Sequence, residues 1–189
     1  MEDLNKEVFE AFEVIKNGGV ILYPTDTVWG IGCDATNEEA IKKIYDLKKR
    51  AESKSMIVLV NSDRLLYNVF GQIPEVAFDI LDCSEKPTTL VLDNPRNVAK
   101  NIIAPDNSLG IRIVETPFCF RLIERMKKPL VSTSANISGA PTPTSFAEIS
   151  DEIKNGVDYI VGLDKDVKRS KSSTVIKLTS DNKVTILRK

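Results

Sequence analysis

The stretch Val20-Ile21-Leu22-Tyr23-Pro24-Thr25-Asp26-Thr27-Val28-Trp29-Gly30-Ile31-Gly32 decides how the rest of the chain is read. Its apolar start predicts a buried strand, which ends where Pro24 fixes its own φ and holds Tyr23 extended. The following Thr-Asp-Thr, the only tryptophan and two close glycines predict a shaped polar loop, because glycine permits approaches that a Cβ would block. Two readings fit this loop alone. Its hydroxyls could cap their own backbone, or they could face a ligand at the end of a strand.

Outward from this stretch, helix and strand patterns alternate. Val8, Phe9, Phe12 and Ile15 have helical spacing and stop at Asn17-Gly18-Gly19. Thr36-Asn37-Glu38-Glu39 has the form of a capping box ahead of Ala40, Ile41, Ile44, Tyr45 and Leu47. Strands are expected at 56–60, 88–92, 108–113, from Pro129 onward, at 157–161, and as a closing hairpin of 175–178 with 184–189. Helices are expected to start near Ser62, Pro74 and Thr116-Pro117, and one capped at Ser145 is expected to run through Ile149 and Ile153. The 164–171 run reads as a polar loop. Such alternation predicts a single α/β domain over 1–189, a mixed, twisted sheet flanked by helices.

At 189 residues, 42% hydrophobic and 28% charged, the chain can bury a sizeable core and is not disordered in composition. The formal charge of −1 supplies no global field for a polyanion, so any nucleotide or nucleic-acid site must come from local clusters of cations. The acidic first residues and the lack of a long apolar run lead us to expect a cytoplasmic protein without a membrane segment. Three scattered cysteines suit reduced, mostly buried thiols. The absence of histidine excludes Ser-His and Cys-His catalysis and histidine-bound zinc.

Polar clusters recur where strands begin or end: Thr25 and Thr27; Lys48, Arg50 and Lys54; Ser108 and Arg112; Ser132 through Asn136; Ser172 and Ser173 with Arg188. Simple alternation would send Arg112 to solvent, and the serine-rich run could bond to itself. Should the clusters converge, they form a cavity of cations and neutral donors suited to a polyphosphate and a carboxylate. Without histidine, catalysis would rest on positioning and charge stabilisation, as in phosphoryl and nucleotidyl transfer. No Walker A motif occurs, and Gly30-Ile31-Gly32 lacks the third glycine of a dinucleotide fingerprint.

Tyr23-Pro24-Thr25-Asp26-Thr27-Val28-Trp29-Gly30-Ile31-Gly32, the Lys48-x-Arg50-x-x-x-Lys54 spacing, Ser132-Thr133-Ser134-Ala135-Asn136-Ile137-Ser138-Gly139 and Ser173-Thr174-Val175 together resemble the YrdC/TsaC family of threonylcarbamoyl-AMP synthases. The resemblance implies a YrdC-like fold with a positively charged central cavity. It also implies nucleotidyl transfer from ATP to L-threonine and bicarbonate, giving threonylcarbamoyl-AMP and pyrophosphate for modification of tRNA. By family position Thr27, Arg112, Ser132 and Ser173 would hold threonine. Arg50, Lys54, Ser108, Ser134, Asn136, Thr142 and Arg188 would hold ATP, and Lys48, Arg50 and Lys54 form the catalytic basic group. Magnesium is expected with the ATP, and no zinc or haem. Pathway enzymes and tRNA or double-stranded RNA are implied partners.

The chain departs from the family's prolines at Ala51 and Ser55, and from its proline-glycine-proline turn at Glu85-Lys86-Pro87-Thr88. A short member without the extra carboxy-terminal domain is expected. A noncatalytic RNA-binding module and a paralogue acting on another carbamoyl substrate are the alternatives. Asp26 is left between capping its own loop and ordering a magnesium ion.

Overall fold

The computed structural model describes residues 2–50, 56–169 and 172–189. Among these described residues, nine strands form one mixed sheet: β1 (Ile21–Tyr23), β2 (Gly30–Gly32), β3 (Ile57–Val60), β4 (Thr88–Asp93), β5 (Ser108–Ile113), β6 (Leu130–Ser134), β7 (Tyr159–Ile160), β8 (Thr174–Leu178) and β9 (Val184–Arg188). Their spatial order is β7-β1-β2-β6-β3-β5-β4-β8-β9. β1/β7, β3/β5 and β4/β8 are parallel, and the other neighbours are antiparallel.

The sheet is flanked, among the described residues, by six α-helices: α1 (Glu2–Lys16), α2 (Glu38–Leu47), α3 (Asp63–Phe70), α4 (Glu75–Asp82), α5 (Pro117–Met126) and α6 (Asp151–Asn155). Their apolar faces and the sheet share one core, in which Ile21, Leu22, Ile31, Ile41, Ile44, Leu59 and Leu90 are buried. No helix among the described residues is long and apolar enough to cross a membrane.

Several local expectations change. The Gly-Ile-Gly segment is not merely a loop: it is β2, pairing with β1 and β6. Gly32 is required there, because a Cβ would lie 2.1 Å from the Val131 carbonyl oxygen and 2.8 Å from the Tyr23 ring. At α2 the cap is Asn37, whose side chain accepts from the Ala40 amide at 3.0 Å. Thr36 is unavailable, since its hydroxyl donates to Asp34 at 2.7 Å.

The helix expected from Ser145 is broken into a 3-10 turn, Phe146–Glu148, and the separate α6. Glu148 folds back to accept from the Thr144 amide at 2.7 Å, and Ile149 is extended, so Ser150 starts the second helix. A short 3-10 turn at Lys100–Ile102 was not apparent in the sequence pattern. Cys33 and Cys119 are buried as expected, whereas Cys83 is exposed.

Candidate functional site

The site is built where several strands and loops meet on one face of the sheet. β2 and β9 are six strand spacings apart, which on a flat sheet would separate them by roughly 29 Å. Yet Gly30 and Arg188 line one cavity of about 240 Å³, so the sheet curls round it. The 24–29 loop forms one wall through Thr25, Thr27, Val28 and Trp29. Trp29 is held from behind by Phe146, with ring centroids 5.0 Å apart.

Thr25 explains why this loop is rigid. Its hydroxyl oxygen accepts from the Thr27 amide at 3.0 Å, donates to the Val28 carbonyl at 2.6 Å and lies 3.0 Å from the Thr27 hydroxyl. The capping reading and the site reading are therefore compatible: Thr25 staples the backbone, and the same loop presents Thr27 to the cavity. Gly30 keeps the adjoining floor low, since a Cβ would lie 3.2 Å from Thr25 Cγ2 and 3.3 Å from Ser132 Oγ.

α2 delivers the cations. It ends in a Schellman arrangement, with Lys49 left-handed at φ 50°, the Lys49 amide donating to Asp46 and the Arg50 amide to Tyr45. This reversal separates neighbouring side chains. Arg50 lines the cavity, while Lys49 turns outward to pair with Glu152 at 2.7 Å. Burial is the main cause of a downward shift in the Arg50 pKa.

Lys48 goes elsewhere. Only 1% exposed, it donates through Nζ to the carbonyls of Ser134 and Asn136, and its own carbonyl accepts from the Ser138 amide at 2.8 Å. It is not among the described lining residues and acts as a staple beneath the serine-rich loop. Burial, and secondarily Arg50, lowers its pKa to about 8.

Arg112 is 4% exposed, contrary to the solvent reading from alternation, because both faces of β5 are covered. Its Nη2 donates to Asp26 Oδ1 at 2.8 Å, and Asp26 is thereby placed in an ion pair. Ser132 on β6 is level with Ile57, and Ser134 is level with Gly30, so alternation puts both serines on the cavity side. Ser173 is buried at the start of β8, where its hydroxyl lies 2.9 Å from that of Thr89. Arg188 donates to the Ser173 carbonyl at 3.0 Å and to its hydroxyl at 3.2 Å.

Thus Thr27, Arg50, Arg112, Ser132, Ser134, Thr142, Ser173 and Arg188 come together. Ser108 does not join them: it lies four residues before Arg112 on β5 and donates to Asp106 at 2.6 Å. Asn136 donates to the carbonyls of Ile137 and Ala140 and shapes the loop instead of lining the cavity. Lys54 and the departures at Ala51 and Ser55 lie outside the described residues. Thr89 was missed as a supporting residue; its only signal is a polar side chain inside an otherwise buried strand, where it is fully covered. No group of three or more His, Cys, Asp or Glu side chains that could hold a metal occurs among the described residues.

The chain belongs to the Sua5/YciO/YrdC family, whose model, described as "telomere recombination", matches residues 13–189. A Pseudoalteromonas translucida protein named threonylcarbamoyl-AMP synthase is 32% identical over 80% of this chain and 82% of its own length. A Methanocaldococcus jannaschii protein, provisionally named for the same activity, is 35% identical over 98% of this chain and 87% of its own. The crystal structure of P. abyssi Sua5 complexed with L-threonine superposes with a TM-score of 0.78 at 29% identity. That alignment covers 90% of this chain and half of the Sua5 chain.

Proposed function

We propose that this chain is an L-threonylcarbamoyladenylate synthase, making threonylcarbamoyl-AMP and pyrophosphate from L-threonine, bicarbonate and ATP. The observation that carries this reading is the meeting of Arg50, Arg112 and Arg188 with Thr27, Ser132, Ser134 and Ser173 in one cavity, without a carboxylate among its described lining residues. The names of the two relatives and the threonine complex of the Sua5 neighbour support it.

In this reading, Arg112 receives the threonine carboxylate in a charge-assisted hydrogen bond, and Thr27, Ser132 and Ser173 surround the amino acid. The threonine nitrogen bonds to the carbon of bicarbonate, losing water to give a carbamate. A carbamate oxygen then attacks the α-phosphorus, the bond from that phosphorus to the bridging oxygen breaks, and pyrophosphate leaves. Arg50 and Arg188, with Lys54, stabilise the charge that develops on the departing phosphates, while Ser134 and Thr142 fill remaining acceptor sites. Placement and fixed charge, not a protein base, do the catalytic work.

Magnesium enters as part of the ATP substrate. The polar side chains of the described lining carry hydroxyl or guanidinium groups, apart from the Trp29 indole, so phosphate oxygens and water would supply the oxygen ligands a hard cation requires. The acceptor pathway is tRNA modification, with the cytoplasm as its location. The residues assigned to both substrates belong to this chain.

The test is pyrophosphate release with threonine and bicarbonate omitted in turn. The synthase requires both. An RNA-binding module releases none, and a paralogue acting on another carbamoyl substrate releases pyrophosphate without the threonine requirement; either result overturns the proposal.

A further inference from the structure

Arg112 brings a guanidinium into the cavity. Its partner is Asp26, which uses one oxygen, Oδ1, at 2.8 Å from Nη2. The guanidinium carries five donors in a rigid fork. Its Nε–H is buried and has no hydrogen-bond partner among the described residues. Asp26 is 22% exposed and is not a described lining residue, whereas Arg112 lines the cavity.

The two flanking threonines decide whether Asp26 can move aside. Thr25 and Thr27 are buried, and the Thr25 hydroxyl closes bonds to the Thr27 amide and the Val28 carbonyl. Asp26 therefore projects from a locked backbone. We propose that Asp26 is a positioning residue: it pins one arm of the Arg112 guanidinium and stays in place while the carboxylate of threonine binds the same guanidinium. This inference rests on the assignment of Arg112 to the threonine carboxylate.

The competing picture is simple electrostatics. If Asp26 were only a rival anion, removing it would strengthen attraction for an incoming carboxylate. If it positions the fork, removing it lets a buried cation lose its orientation, and threonine binding weakens. The two pictures differ in sign.

Calorimetric titration of the full chain with L-threonine reads that sign directly. Asp26→Ala should weaken threonine binding by at least about tenfold, the scale of losing one charge-assisted hydrogen bond. Asp26→Asn, nearly isosteric and still able to accept from Nη2, should weaken it by about threefold. It also keeps the test informative should the alanine variant fail to fold. In steady-state assays the loss should fall on KM for threonine, with kcat at saturating threonine and KM for ATP within about twofold of wild type.

Arg112→Lys, which keeps the charge and loses the fork, should itself weaken threonine binding, and adding Asp26→Asn to it should have no further effect. Equal or tighter threonine binding by a folded Asp26 variant overturns the positioning role, as does a full additional loss in the Arg112→Lys background. Wild-type threonine binding by Arg112→Lys would instead overturn the assignment of Arg112.

Discussion

Two concavities among the described residues differ sharply in size and chemistry. The 240 Å³ cavity is lined by three arginines and a set of hydroxyls, several of them buried and fixed by specific bonds. The other, an open groove of about 1120 Å³, runs along α3, α4 and the β8–β9 turn and contains none of the residues that the sequence marks as a site. Its carboxylates, Glu75, Asp79 and Asp93, are solvated or half-buried. The guanidinium of Arg96 is occupied by the carbonyls of Tyr67 and Asn68. Volume alone would point to the groove. Buried polar groups cost stability unless they are paired, so their convergence at the smaller cavity marks where the fold maintains chemistry.

The sharpest way to break this contrast is Arg50→Ala. It should reduce threonine-dependent pyrophosphate release by at least about 100-fold, as expected when charge stabilisation of a leaving group is removed. Near-normal turnover would remove the small cavity from consideration. Glycine substitutions compare the two walls structurally. Gly32→Ala forces a Cβ against the Val131 carbonyl, a backbone atom, and should cost about 2–3 kcal/mol in denaturant unfolding. At the groove, the Cβ of Gly71→Ala meets the flexible Arg96 side chain, so its cost should be about 1–2 kcal/mol, mainly from its positive φ of 68°.

Lys48 supplies a pH test of the staple beneath the small cavity. Its folded pKa, about 8, lies below the ordinary value of 10.5, so between those limits the unfolded chain binds more protons and stability rises with pH. That gain, on the order of 2 kcal/mol, should appear as pH goes from about 8 to 10.5 and be absent in Lys48→Met, as measured by urea midpoints. An identical pH slope in both proteins would mean that the ammonium is not strained by burial. The smallest effect belongs to the groove: Glu75→Gln with Asp79→Asn should leave pyrophosphate release within about twofold, since exposed carboxylates remote from the reacting groups contribute little. A larger loss would give the groove a part in the reaction.

Much of the fold is legible in one dimension because its signals are local. The Val20–Tyr23 run, the proline after it and the helical spacing of Val8 to Ile15 depend on neighbouring residues, and β1 and α1 form there. β2 is less legible: three residues, two of them glycine, offer little strand propensity, and pairing with β1 and β6 on both sides overrides it. The Ser145 helix failed for a related reason, since Glu148 found a partner in Thr144 that propensity does not record.

For the candidate site, residue types and motif spacing identified a basic and hydroxyl-rich set, and that information resides in the chain itself. Which members share a cavity was decided by tertiary structure, because side-chain direction depends on caps, strand register and the curl of the sheet. Lys48 and Arg50 are two residues apart, yet the left-handed Lys49 sends one beneath the serine loop and the other into the cavity. Ser108 and Arg112 share a strand, but Asp106 binds the first and only the second reaches the cavity. Asp26 was ambiguous in sequence. Its partner is 86 residues away, and only the packing of β5 beside the locked threonine loop brings that arginine within 2.8 Å.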